Sequence, residues 1–246
     1  MKASGKSGGN RTWWNLGYDL TKEAKLRTMP LFTPELRFSP EGKTAPGLGQ
    51  IGILAPPGVY SVELAIGDQR LRQPLTILKD PNSGGSSQDI ATQTAFMADV
   101  TTDLNNAVDM INALEVVRSQ VAAIKASLSG DTTVKDVTAA SDSLDRKMLD
   151  VEEQLLQMRI TGRGQDIVRW PMKVAEQLTY LAGSATGSDH APAAQHREVQ
   201  QLLRNRVREI KAQFDLVMSR ELEAYKALLR QRNIKNVIIS DADILD

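Results

Sequence analysis

Residues 88–128 read QDIATQTAFMADVTTDLNNAVDMINALEVVRSQVAAIKASL, and no other run in the chain sustains one periodicity for so long. Met97, Val100, Leu104, Val108, Ile111, Leu114, Val117, Val121, Ile124 and Leu128 recur at steps of three or four. That spacing aligns side chains on one face of a helix. Asp99, Asp103, Asn106, Asn112, Arg118 and Gln120 fall between them and read as a solvated face. Neither Gly nor Pro interrupts the run, which predicts one helix of roughly 60 Å at about 1.5 Å per residue. A rod with one apolar stripe is not stable alone in water and calls for partner helices along its length.

The chain supplies them downstream. Ser129-Gly130-Asp131-Thr132 closes the first helix and caps a second, with Gly130 placed for a left-handed stop. Val137, Leu144, Met148, Val151, Leu155 and Met158 then follow a spacing close to a coiled-coil seam. The short connection predicts an antiparallel helical hairpin. Gln165 to Trp170 reads as an extended crossing, because Pro171 disfavours the helical region for the residue before it. A short third helix carries Val174, Leu178 and Leu181; a long fourth carries Val199, Leu203, Ile210, Phe214, Val217, Leu222, Tyr225 and Leu228, with Ser219 as a point of bending. Residues 88–232 are therefore expected to form an elongated bundle of three to four helices. Residues 233–246 form a tail in which Val237-Ile238-Ile239 is apolar enough to dock or to make a short strand.

Upstream, the period changes. Residues 11–16 alternate, 50–54 are a short apolar run, and 28–49 are rich in Pro and Gly with room for an edge strand at 35–38. Tyr60, Val62, Leu64 and Ile66 alternate with Ser61, Glu63 and Ala65; Gly67-Asp68 then suits a hairpin turn and residues 71–78 return. Pro74 has no N–H for a ladder, which places its strand at an edge or a bulge. The expected class is α+β and multi-domain. Its parts are a flexible lead-in over 1–10, a small antiparallel Ig-like β-sandwich over 11–80, a Pro/Gly/Ser linker over 81–87, and the bundle. With four or five strands where such sandwiches have about seven, the expectation is that either the sheet is abbreviated or the chain begins inside a domain.

Composition narrows the function. Thirty basic residues balance thirty acidic ones, which argues against nucleic-acid binding and gives no polybasic route to a membrane. No apolar run reaches the ~18 residues of a membrane span, and residues 1–10 lack the apolar core of a secretory signal. The absence of cysteine removes disulfides and thiolate metal sites.

Few residues suggest chemistry. His190 and His196 are six apart, with Asp189 beside the first, whereas a metal pair on one helix face needs a spacing near three or four. Neither has a Glu three residues before it, as a di-iron bundle requires. Asp241, Asp243 and Asp246 lack the turn of a calcium loop. Glu152, Glu153, Asp142, Asp145 and Asp150 read as the solvated side of the second helix, paired with Arg146 or Lys147. Nucleophile-elbow and phosphate-loop signatures are absent. No catalytic, cofactor or metal residue is nominated, and no cofactor is expected. Trp13, Trp14 and Trp170 are the candidates for ligand or partner contact, a sugar ring among them.

Several segments carry a resemblance: residues 10–16 (NRTWWNL), 54–62 (LAPPGVYSV), 74–83 (PLTILKDPNS) and 169–173 (RWPMK), followed by Leu181-Ala182-Gly183 and Ala191-Pro192. In this order they resemble the C-terminal region of bacterial sortilin-type, BNR-repeat β-propeller proteins commonly labelled glycosyl hydrolases. The resemblance implies an Ig-like sandwich and a helical tail, here without the propeller that would hold any sugar-processing site. It also implies an exported setting, periplasmic or extracellular. The expected function is a non-catalytic accessory module that docks a propeller, another protein or a second copy of itself, with glycoside hydrolysis or carbohydrate binding as the alternatives.

Overall fold

The computed structural model describes residues 5–29, 31, 32, 39, 41–161 and 165–234. It shows a helix-dominated, mixed α/β chain. Among the described residues four strands, β1 (Lys25–Leu26), β2 (Lys43–Thr44), β3 (Gly58–Ile66) and β4 (Gln69–Ile77), precede the helices. These are α1 (Ser87–Ser127), α2 (Lys135–Leu155), α3 (Asp166–Arg169), α4 (Val174–Ala185), α5 (Ala194–Leu216) and α6 (Leu222–Gln231).

α1 runs for 41 residues. Ser86 and Asp89 start it with a reciprocal capping box: the Asp89 N–H donates to Ser86 Oγ at 3.1 Å and the Ser86 N–H donates to Asp89 Oδ2 at 2.9 Å. The segment before it is packed rather than a free linker. A Cβ on Gly85 would stand 2.1 Å from the carbonyl oxygen of Asp189, so only glycine fits against the loop between α4 and α5.

The helices α2, α4 and α5 all pack on α1, which is therefore buried over more than the predicted stripe. Met110 and Ala113 lie in the core, and so do Asp103 and Arg118 from the face expected to be solvated. Asp103 is paired with Arg204 of α5 at 3.0 Å. α2 and α6 are joined by a buried contact between the hydroxyls of Ser141 and Tyr225 at 2.8 Å. The bend expected at Ser219 is a π-helical turn, Val217–Glu221, that joins α5 to α6. Residues 165–170, expected to be extended, include the one-turn helix α3.

The Ig-like sandwich is not there. Among the described residues the strands form two separate two-stranded antiparallel sheets, β1 with β2 and β3 with β4. The physical reason lies in residues 11–28. Trp14 folds back so that its indole N–H donates to the Gly17 carbonyl at 2.8 Å, and Leu16 adopts a left-handed φ of 59°. Together these end the extended run that residues 11–16 would have needed for a strand. Only an isolated bridge, Gly17 with Leu54, remains of pairing with residues 50–54, beside backbone bonds from Tyr18 to Ile53 and from Thr21 to Ile51. The chain then turns onto α1, and its strand β1 pairs with β2 rather than with β3 or β4. The strand expected at 35–38 and the apolar segment of the tail lie outside the described residues.

Residues 22–28 form a strap laid along α1, and helix side chains serve as its hydrogen-bonding edge. The N–H groups of Lys22 and Lys25 donate to Asn105 Oδ1 and Asn112 Oδ1, each at 2.8 Å. Asn112 returns a bond to the Glu23 carbonyl at 3.0 Å. The Arg27 and Thr28 N–H groups both donate to Glu115 Oε2, and the Thr28 hydroxyl donates to Glu115 Oε1 at 2.7 Å. Asn105, Asn112 and Glu115 lie at steps of seven and three, one face of the helix. Ala24 and Leu26 are buried beneath the strap.

Removing these acceptors orphans backbone donors. Glu115→Ala is expected to destabilise the chain by about 3 kcal/mol or more, and Asn112→Ala by about 1–2 kcal/mol, measured by urea denaturation. Values near zero for both would contradict the strap.

Candidate functional site

The strap ends over a buried charge cluster. Arg118 Nη1 donates to Glu115 Oε1 at 3.0 Å and to Glu152 Oε2 at 2.5 Å, while its Nε donates to Asp145 Oδ1 at 2.8 Å. Both glutamates are 0% exposed. Burial pulls the Arg118 pKa down, but the carboxylates of Glu152, Glu115 and Asp145 more than reverse this and hold it charged. For Glu152, burial is the larger influence and the neighbouring Glu115 adds to it, so its pKa is pushed well above the ordinary carboxylate range. One of its oxygens, Oε1, has no hydrogen-bond partner among the described residues. A proton on that oxygen gives Glu152 a donor that two adjacent carboxylates otherwise lack.

This cluster is the densest group of coupled ionisable side chains described, and it buries Arg118 and Glu152, which the sequence pattern assigns to solvated faces. A signal existed: Glu115 stands four after Ile111 and seven after Val108, Arg118 four after Leu114, and Glu152 four after Met148. These charges sit at apolar-stripe spacing, where they must be buried against each other or disrupt the seam. The cluster locks α1, α2 and the strap together. Glu115 and Glu152 are sealed from solvent, while the Asp145 side chain keeps 42% of its surface exposed.

The residues singled out in the sequence are dispersed. Trp13 is 81% exposed, with only the Arg11 guanidinium over its ring, 5.6 Å from the centroid. Trp14 is half-buried and meets Tyr60 edge-on at 6.1 Å. Trp170 lies under the guanidinium of Arg159 at 4.5 Å, which also covers Phe32 at 5.1 Å. The structure thus gives each tryptophan a different partner rather than one shared stacking platform. His190 is exposed beside Gly84. His196 accepts the Ala193 N–H on Nδ1 at 3.2 Å and lines a groove of about 490 Å³ with Met172, Tyr180, Val199 and Leu202. Among the described residues, no three His, Asp or Glu side chains come together as metal ligands, and no helix is long and apolar enough to cross a membrane.

The most exposed apolar feature is the β3–β4 hairpin. Its turn has Gly67 at φ 55° and Asp68 outside the left-handed region, the type II′ arrangement that fits strand twist. In the register Ile66 faces Gln69, Leu64 faces Leu71, Val62 faces Gln73 and Tyr60 faces Leu75. Directly opposed residues share a face, so one side carries Tyr60, Val62, Leu64, Ile66, Leu71 and Leu75 with no charge. The other carries Glu63, paired with Arg72 at 2.6 Å and Arg70 at 3.8 Å. The uncharged side is open towards the tip: Ile66 is 59% and Leu71 58% exposed.

No family model, curated protein or solved structure matches the chain.

The raised pKa of Glu152 has a measurable consequence. Its folded-state pKa is raised, so its contribution to stability is fully present below the unfolded-state value and is lost as pH rises through the folded-state value. Gln at this position keeps an acceptor for Arg118 and a donor for Glu115 at every pH. Glu152→Gln is therefore expected to raise Tm relative to the parent chain more at pH 8 than at pH 4.5, followed by thermal melts across that range. A difference independent of pH would show that Glu152 is ionised in the fold throughout.

Proposed function

We propose that this chain is a non-catalytic interaction module that docks a β-rich protein partner through the uncharged face of the β3–β4 hairpin. The observation that carries the reading is that uncovered face. A two-stranded hairpin is marginal in water by itself, and contiguous exposed apolar surface marks interaction sites. The burial of Glu115 and Glu152 supports a non-catalytic role, because these two acids lie out of reach of a substrate. The sequence resemblance supports a partner class: a sortilin-type β-propeller domain, in an exported setting.

The test mixes the full chain with a propeller domain of that architecture and follows binding by biolayer interferometry. Binding is expected, and Leu64→Lys with Leu71→Lys should weaken it by at least about tenfold, or 1.4 kcal/mol, without altering the helical circular-dichroism signal. No binding, or binding indifferent to the double substitution, would overturn the docking face. Turnover of aryl glycosides by the isolated chain, lost on replacing one Asp or Glu, would overturn the non-catalytic assignment.

A further inference from the structure

The two edges of the hairpin are not equivalent. A two-residue turn makes its flanking pair, Ile66 and Gln69, a hydrogen-bonded pair, and antiparallel ladders alternate from there. The pairs Leu64–Leu71, Val62–Gln73 and Tyr60–Leu75 therefore bond inward. The backbone groups of Val59, Ser61, Glu63 and Ala65 point out of the β3 edge, and those of Arg70, Arg72, Pro74 and Thr76 point out of the β4 edge. Pro74 sits opposite Ser61 without breaking the strand, as this alternation requires, and leaves a missing donor in the middle of the β4 edge. The β3 edge has its full row of donors and acceptors, and among the described residues no backbone bond beyond the hairpin engages them.

β3 is also complementary to itself. Gly58–Ile66 has nine residues and one charge, Glu63. A twofold axis at the central Val62 overlaps the whole strand with its copy and places Glu63 opposite Ser61. Moving the axis one residue along sets Glu63 against Glu63 and shortens the overlap. In the full register Val59 exchanges bonds with Ala65 and Ser61 with Glu63, while Tyr60 meets Leu64 and Val62 meets Val62 on the uncharged face. The antiparallel arrangement puts the two helical bodies at opposite ends of the new sheet.

We propose that two copies of this chain associate by antiparallel pairing of their β3 edges about Val62, forming a four-stranded sheet. This goes beyond the docking reading: it uses the strand edge rather than the apolar face, and that reading stands if the edge does not pair. It also turns a marginal hairpin into a sheet of sufficient width for independent stability.

The chain has no cysteine, which makes a single introduced thiol a reporter of register. Val62 faces its own copy as a non-hydrogen-bonded pair, with Cα atoms about 4.5 Å apart, within disulfide reach. Under mild oxidation of the full chain, Val62→Cys is expected to give disulfide-linked dimer at least about tenfold faster than Leu64→Cys, which faces Tyr60 of the other copy. In sedimentation equilibrium the parent chain should dimerise. Ser61→Pro, which removes an outward donor from β3, should weaken the dimer by at least about tenfold, or 1.4 kcal/mol. Thr76→Pro on the β4 edge should leave it unchanged. A parent chain monomeric at its highest soluble concentration, equal cross-linking at 62 and 64, or Ser61→Pro dimers as tight as the parent would each overturn the proposal.

Discussion

The carboxylate of Glu115 ties the N-terminal strap to the helices. It accepts the N–H groups of Arg27 and Thr28, the Thr28 hydroxyl and Arg118. Two parts of the chain far apart in sequence thus meet on one side chain of the central helix. Through Arg118 the same group reaches Glu152 and Asp145 on α2. A buried ion cluster is weak evidence for net stability, because desolvation offsets much of the Coulomb gain. Its effect here is positional: breaking one partner leaves charge and backbone donors uncompensated, so register between strap, α1 and α2 is tightly specified.

That arrangement explains why the N-terminal third does not build a sandwich. An extended segment needs partners for its backbone, and a neighbouring strand is the usual source. Here Asn105, Asn112 and Glu115 supply acceptors at helical spacing, and residues 22–28 satisfy their donors on α1. The strap is thereby used up as a strand for β3 and β4. The hairpin is left as two strands with one uncharged face and one fully competent edge, and these are the surfaces from which both functional readings are drawn.

The helices were legible because their signals are local and redundant. Ten apolar residues in phase from Met97 to Leu128 leave little doubt about α1, and the hairpin turn was legible in Gly67-Asp68 after four alternating apolar residues. The strap was not legible. Alternation in residues 11–16 is the same whether the partner is a strand or a helix, and nothing local reveals that Leu16 turns left-handed. Nor did the stripe show how many neighbours α1 has. Asp103 and Arg118 look solvated on a helix with one packed side and are buried on a helix packed by α2, α4, α5 and the strap. The three tryptophans illustrate the converse: residue type suggested a platform, and tertiary structure gave each a separate partner.

Amide hydrogen exchange of the full chain separates a strap held by helix side chains from a loosely laid segment. If helix side chains hold the strap, the N–H groups of Lys22, Lys25, Arg27 and Thr28 will be protected by several orders of magnitude and will exchange with the same global opening as the middle of α1. Exchange of those four amides at the rate of an unstructured peptide, with α1 still protected, would contradict it.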